Sequence, residues 1–208
     1  MENRRVVITG RGVCLPRASN SLDNVKIMMN DLSNGKSHIK NISARFPWLK
    51  DYYSQLGYLF ENFKFDAEKI GIRLKDVKRL GPSVMYSFEA GHEAITQSGF
   101  LDYIPEDQRD RVGVIIGHGL CGIIEVEEQY RRLIEKGISK VNLNLCFKAL
   151  PDSSPGFISI RYGFRGPCFS VSTACASALT GIRLGANSIK SDETDLVVCG
   201  GTCESAAS

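Results

Sequence analysis

With 208 residues, 43% of them hydrophobic and 24% charged, the chain has apolar material for one or two packed domains and too ordinary a balance for disorder. A net charge of +3 is too small to mark a nucleic-acid binder, although a local basic patch can still attract an acidic protein. Seven cysteines, at 14, 121, 146, 168, 175, 199 and 203, are odd in number and lack the spacings of a zinc site or a disulfide scaffold, so reduced thiols are expected.

The chain opens with charged residues that lead straight into Val6, Val7, Ile8 and Thr9. No apolar run is long enough to span a membrane and no leader pattern precedes this stretch, so the expectation is a cytoplasmic protein without a membrane span. Residues 6–9 read as a buried strand that ends in a glycine-rich turn, Gly10-Arg11-Gly12. That turn is no dinucleotide fingerprint: the third glycine is missing, and Pro16 opposes a phosphate-cradling helix start, so no cofactor is expected.

Residues 21–34 form a capped helix, with Ser21 and Asp23 at its start and Gly35 at its stop. Residues 36–66 carry aromatics without sustained periodicity (Phe46, Trp48, Tyr52, Tyr53, Tyr58, Phe60, Phe63, Phe65) and read as an aromatic cap over the core. Residues 66–80 are rich in charge at Lys69, Arg73, Lys75, Lys78 and Arg79, the mark of a solvated face. Val84, Phe88, Ala94 and Ile95 then recur at helical spacing until Gly99 closes the run.

Residues 111–117 are nearly continuously apolar, as a strand covered on both faces must be. They end in Gly117-His118-Gly119-Leu120-Cys121-Gly122, where glycines permit close backbone approach and His118 reads as a loop residue rather than a base. Residues 124–136 are an amphipathic helix, acidic early and basic late, the order its dipole favours. A loop through Leu145 and Cys146 precedes a further helix and the turn 161–166.

The pattern sharpens at residues 166–178. A β-prone run, 169–173, passes without a linker through Ala174, Cys175 and Ala176 into a helical run that ends near Lys190. Cys175 therefore belongs on a sharp strand-to-helix turn, where free N–H groups and the helix dipole favour a thiolate. A buried small hydrophobe is the plainer reading of a lone cysteine. Residues 195–201 form one more buried strand that ends in Gly200-Gly201, with Glu204 just after.

Arg161-Tyr162-Gly163-Phe164-Arg165-Gly166-Pro167, the Ser172-Thr173-Ala174-Cys175-Ala176-Ser177 string and Val197-Val198-Cys199-Gly200-Gly201 together resemble the elongating beta-ketoacyl-acyl carrier protein synthases. The resemblance covers the whole chain but only the first of that family's two pseudo-symmetric halves. It implies an α/β, thiolase-like fold, represented by an N-terminal half in residues 1–208 with a mixed sheet covered by helices. It makes Cys175 the acyl-accepting nucleophile of a decarboxylative Claisen condensation in fatty-acid or polyketide synthesis.

Leu120, Leu145 and Cys146 fall at positions that line the acyl pocket in that family, the last two reaching across a dimer interface. Lys75, Lys78 and Arg79 fall where an acidic carrier protein docks. The implied partners are an acyl carrier protein bearing phosphopantetheine-linked acyl and malonyl groups, and a second ketosynthase-like subunit in a homodimer or heterodimer; no metal or nucleic acid is implied.

The catalytic histidines of the family lie in its C-terminal half, and His38, His92 and His118 match none of them. A non-catalytic remnant that binds a partner ketosynthase or a carrier protein is the competing reading. Gly81, where an aspartate is common, and Cys121, at a glycine-like position, depart from the family pattern.

Overall fold

A computed structural model describes residues 4–14, 24–37, 39–57 and 63–204. The proposed cap at Ser21 and Asp23, together with Pro16, His38, Tyr58 and Phe60, lies outside the described residues. The helices are α1 (Asn24–Ser33), α2 (Ala67–Ile70), α3 (Leu74–Val77), α4 (Pro82–Ser98), α5 (Ile123–Lys136), α6 (Leu145–Ala149), α7 (Ser153–Tyr162) and α8 (Ser177–Lys190). The strands are β1 (Lys40–Asn41), β2 (Leu56–Gly57), β3 (Val112–His118), β4 (Cys168–Val171) and β5 (Leu196–Thr202).

Strands β4, β3 and β5 form a parallel sheet with β3 in the centre, while β1 and β2 pair as a short antiparallel ribbon. Both kinds of pairing are thus present, in separate sheets. Every residue of β3 is buried, because helices cover both faces. Val112, Val114 and Ile116 point to one face and join Val84 and Phe88 of α4 and Ile158 and Tyr162 of α7 in the main core. On the other face α8 lies close, through Gly181 against the carbonyls of Gly200 and Ile115 and Gly185 against Val197 and Cys199. That helix is covered only on this small-residue stripe; Leu179 and Ile182 on its far side are exposed.

Local sequence explains the element ends. Pro82 starts α4 at a position where its missing N–H costs nothing, and Gly99 at φ 68° stops it. Asp66 caps α2 by accepting the Lys69 N–H at 3.0 Å. At the entry edge of the sheet Arg111 donates to Asp195 at 2.8 Å, tying the start of β3 to the start of β5.

One expected strand is not a strand. Residues 6–9 carry no ladder, and Val7 and Ile8 are 71% and 79% exposed. The turn that follows, residues 10–13, runs along α4, with the Arg11 N–H donating to Gln97 at 2.7 Å and the Val13 N–H to Glu93 at 2.9 Å. Gly10 and Gly12 allow this approach, since a Cβ at either would stand about 2 Å from the Ala94 or Ala90 carbonyl oxygen, at 2.0 Å and 1.9 Å. The aromatic stretch divides: Phe65 packs on the core beside Phe88, whereas Tyr52 and Tyr53 are exposed.

Candidate active site

The three parallel strands end together at their carboxyl edge, the usual place for a site in an open α/β sheet. From β4 the chain passes through residues 172–176 to α8, and Cys175 sits two residues before the first helical residue with its side chain exposed. Ala174, immediately before it, has φ 51°. A left-handed conformation costs an L-residue with a Cβ about 1–2 kcal/mol, so this turn is strained at the residue that presents the thiol.

Ser177 holds the turn. Its hydroxyl accepts the Thr173 N–H at 2.8 Å and lies 2.6 Å from the Ala174 carbonyl and 3.0 Å from the His118 carbonyl, to which it donates. The end of β3 and the turn that carries Cys175 are thereby joined by one side chain. Gly117 is required for that junction, since a Cβ there would lie 2.2 Å from the Ser177 carbonyl oxygen. Gly201 is required likewise, with Ala178 Cβ 2.6 Å from where its own Cβ would be.

His118 is not the loop residue expected from its glycine neighbours. It is the last residue of β3, 2% exposed, and neither ring nitrogen has a hydrogen-bond partner among the described residues. Burial holds its pKa below the usual histidine range, against a smaller upward pull from the Asp152 carboxylate. It is therefore a neutral imidazole under the site. Its even-numbered register on β3 turns it to the α4 and α7 face, away from α8.

The Gly119–Gly122 loop closes over the same edge. Leu120 is 47% exposed, its carbonyl accepts the Glu204 N–H at 3.2 Å, and Cys121 lies with its sulfur 3.3 Å from the Ser83 hydroxyl. Burial pushes the Cys121 thiol and the Glu204 carboxyl upward, and neither Glu204 carboxyl oxygen has a hydrogen-bond partner among the described residues. Sequence reasoning quoted Ser177 as part of the motif without its turn-holding role and gave Ser83 no role. The first could have been found from its spacing, at the helix start four residues after Thr173; nothing in the sequence singles out the second.

Leu145 and Cys146 open α6, which packs on α5 and leads to α7. Leu145 is half-buried and Cys146 exposed. Lys148 of the same helix is ion-paired with Glu125 at 2.7 Å. Lys75, Lys78 and Arg79 are all exposed in and just after α3. The Arg79 guanidinium lies 3.7 Å from Asp76 and 5.7 Å from the centre of the Phe147 ring, so it bridges α3 and α6. Among the described residues no helix is long and apolar enough to cross a membrane.

Comparison with known proteins bears on this geometry. Residues 3–207 match the family described as beta-ketoacyl synthase, N-terminal domain. The chain is 33% identical over 202 residues to the 3-oxoacyl-[acyl-carrier-protein] synthase 2 of Coxiella burnetii, covering 97% of this chain and 46% of that protein. The enzyme of the same name from Vibrio cholerae is 31% identical over 201 residues, again 97% and 46%. The chain thus spans about half the length of the curated relatives it matches.

Among solved structures, the ishigamide ketosynthase/chain length factor superposes with a TM-score of 0.72 at 21% identity, over 96% of this chain and 47% of that one. A type II PKS acyl-carrier protein in complex with its ketosynthase bound to the hexaketide gives 0.69 at 20% identity, over 95% and 50%. These share the thiolase-like α/β fold. With its parallel sheet, its glycine-lined carboxyl edge and its cysteine ahead of α8, the chain belongs to the beta-ketoacyl synthase family, N-terminal domain.

Proposed function

We propose that residues 1–208 are the N-terminal half of a ketoacyl synthase domain and carry the nucleophile of a 3-oxoacyl-acyl carrier protein synthase. Cys175 accepts the acyl group: its sulfur attacks the carrier thioester carbonyl, and the phosphopantetheine thiol leaves with the proton. The Cys175 N–H is one donor to the oxyanion of that step. A malonyl thioester then loses carbon dioxide, the carbanion attacks the acyl carbonyl, and the carbon–sulfur bond to Cys175 breaks as the new carbon–carbon bond forms, leaving the Cys175 thiolate. The two histidines and the lysine that the family resemblance assigns to decarboxylation come from a C-terminal half.

One observation carries this reading: an exposed thiol follows a strained Ala174 at the mouth of a helix whose contact with the sheet is built from glycines. Leu120 lies near the acyl chain, and Leu145 and Cys146 line the distal pocket, in a dimer with a like or related subunit. Strand β4 is the edge of the described sheet with Phe169 exposed, which suits it to pair with that subunit. Lys75, Lys78 and Arg79 receive the acidic carrier protein. The reaction takes place in the cytoplasm without a cofactor.

The test is condensation. The chain is combined with a ketosynthase C-terminal half bearing the histidine motifs, an acyl-carrier protein loaded with an acyl group, and a malonyl-carrier protein. A 3-oxoacyl product that depends on Cys175 is expected. A product formed equally by Cys175→Ala, or carrier binding with no chemistry in any combination, assigns the chain to a non-catalytic binding role.

A further inference from the structure

Helix α6 has five residues, too few to hold itself, yet it carries Leu145 and Cys146. Its neighbours hold it instead. Lys148 pairs with Glu125 of α5 at 2.7 Å, with both side chains largely buried. Two glycines let its last turn come close: a Cβ on Gly81 would stand 2.7 Å from the Lys148 carbonyl oxygen, and one on Gly122, at φ 63°, 2.3 Å from the Ala149 Cα. On the loop before the helix, the buried Gln129 of α5 accepts the Asn142 N–H at 2.8 Å.

The remaining anchor is Phe147. Its ring meets Phe157 of α7 with centroids 6.5 Å apart at an interplanar angle of 63°, and the Arg79 guanidinium lies 5.7 Å from its centre. Arg79 is itself set in place. Leu80, next in the chain, is buried in the main core, the Arg79 N–H donates to the Asp76 carbonyl at 2.9 Å, and the guanidinium lies 3.7 Å from the Asp76 carboxylate. A cation over an aromatic face is attracted by the ring's quadrupole, so this contact links the charged segment after α3 to the helix that bears Leu145 and Cys146. Of the three cations read as carrier contacts, only Arg79 has such a ring partner among the described residues.

We propose that Arg79 is a positioning residue for α6: its stack on Phe147 fixes where Leu145 and Cys146 stand, and so sets which acyl lengths are accepted, apart from any part Arg79 has in carrier docking. The consequence for acyl length rests on the reading of Leu145 and Cys146 as pocket residues. The two roles of Arg79 separate by substrate. Docking acts only on donors that carry the acidic protein, whereas displacement of α6 acts on a small acyl thioester as well.

The experiment uses the full chain with the ketosynthase C-terminal half supplied, and compares wild type with Arg79→Met, Arg79→Lys and Phe147→Leu, substitutions at exposed positions. Amide exchange of the peptide over 144–150, where the Lys148 and Leu150 N–H groups are bonded, reads α6 itself. Loading of Cys175 from butyryl and dodecanoyl thioesters of N-acetylcysteamine reads the pocket. In Arg79→Met and Phe147→Leu alike, exchange in this peptide should rise by about threefold or more, and the dodecanoyl-to-butyryl loading ratio should shift by a similar factor in one shared direction. Arg79→Lys, which keeps a cation for the ring, should stay closer to wild type in both. Exchange at the wild-type rate in both variants, a loading ratio that neither changes, or an Arg79→Met effect confined to carrier-bound donors overturns the proposal. Unchanged exchange with normal loading removes only the positioning role. Faster exchange in both variants, when wild-type Cys175 takes up no acyl group, removes only the acyl-acceptor role.

Discussion

His118 shows how one position can mislead and then inform. Flanked by glycines it reads as a loop residue, yet the β3 ladder runs through it to Thr202 and seals its ring in the interior. A histidine held neutral by burial makes stability depend on acid in one direction. Its folded pKa lies below that of the unfolded chain, so the unfolded state binds the proton first as pH falls. Its contribution to stability is fully present above the unfolded pKa of about 6.5 and is lost as pH falls from there through the lower folded value. His92, lowered mainly by burial and bonded to the Tyr162 hydroxyl at 2.7 Å, adds to the same limb. Urea melts between about pH 7.5 and 5 should show this decline, and His118→Leu should flatten part of it. A decline of unchanged steepness in His118→Leu contradicts the burial argument.

At the scale of elements, the junction of β3, β4 and α8 turns a sheet edge into a site. Gly117 admits the Ser177 backbone, and Ser177 in turn holds the Thr173 N–H and the His118 carbonyl. Gly117→Ala should therefore lower the melting temperature and slow alkylation of Cys175 together, because a Cβ 2.2 Å from a backbone oxygen cannot be relieved by a rotamer change. Gly137→Ala, where nothing lies within 4 Å of the added atom, tests the cost of a positive φ alone without touching the site. Equal effects on Cys175 alkylation in the two variants contradict the junction.

Much of this level was legible from residues. The unbroken apolar run of β3, the helix from Pro82 to Gly99 and the passage from β4 to α8 all follow from periodicity and punctuation. Residues 6–9 carry the same apolar signal as β3 but join no ladder and leave Val7 and Ile8 exposed, because a short apolar run does not say what it packs against. The turn-holding role of Ser177 could not be read in full because it depends on β3, fifty-nine residues earlier in the chain, as the separation of His118 and Ser177 records.

For the molecule as a whole, the chain belongs to the beta-ketoacyl synthase family, N-terminal domain, and spans 46% of the length of its Coxiella burnetii relative. Carrier recognition is tested by charge. Lys75→Glu with Lys78→Glu should raise KM for an acyl-carrier substrate by roughly tenfold and weaken its salt dependence, with little effect on a small acyl thioester. Equal effects on both substrates remove the docking role. The central claim is that Cys175 is the acyl acceptor, and intact-protein mass after exposure to an acyl-carrier donor tests it most directly. Addition of one acyl group, mapped to the Cys175 peptide and absent from Cys175→Ala, is the expected result. No adduct on that peptide with the C-terminal half supplied, or an adduct that persists in Cys175→Ala, contradicts it.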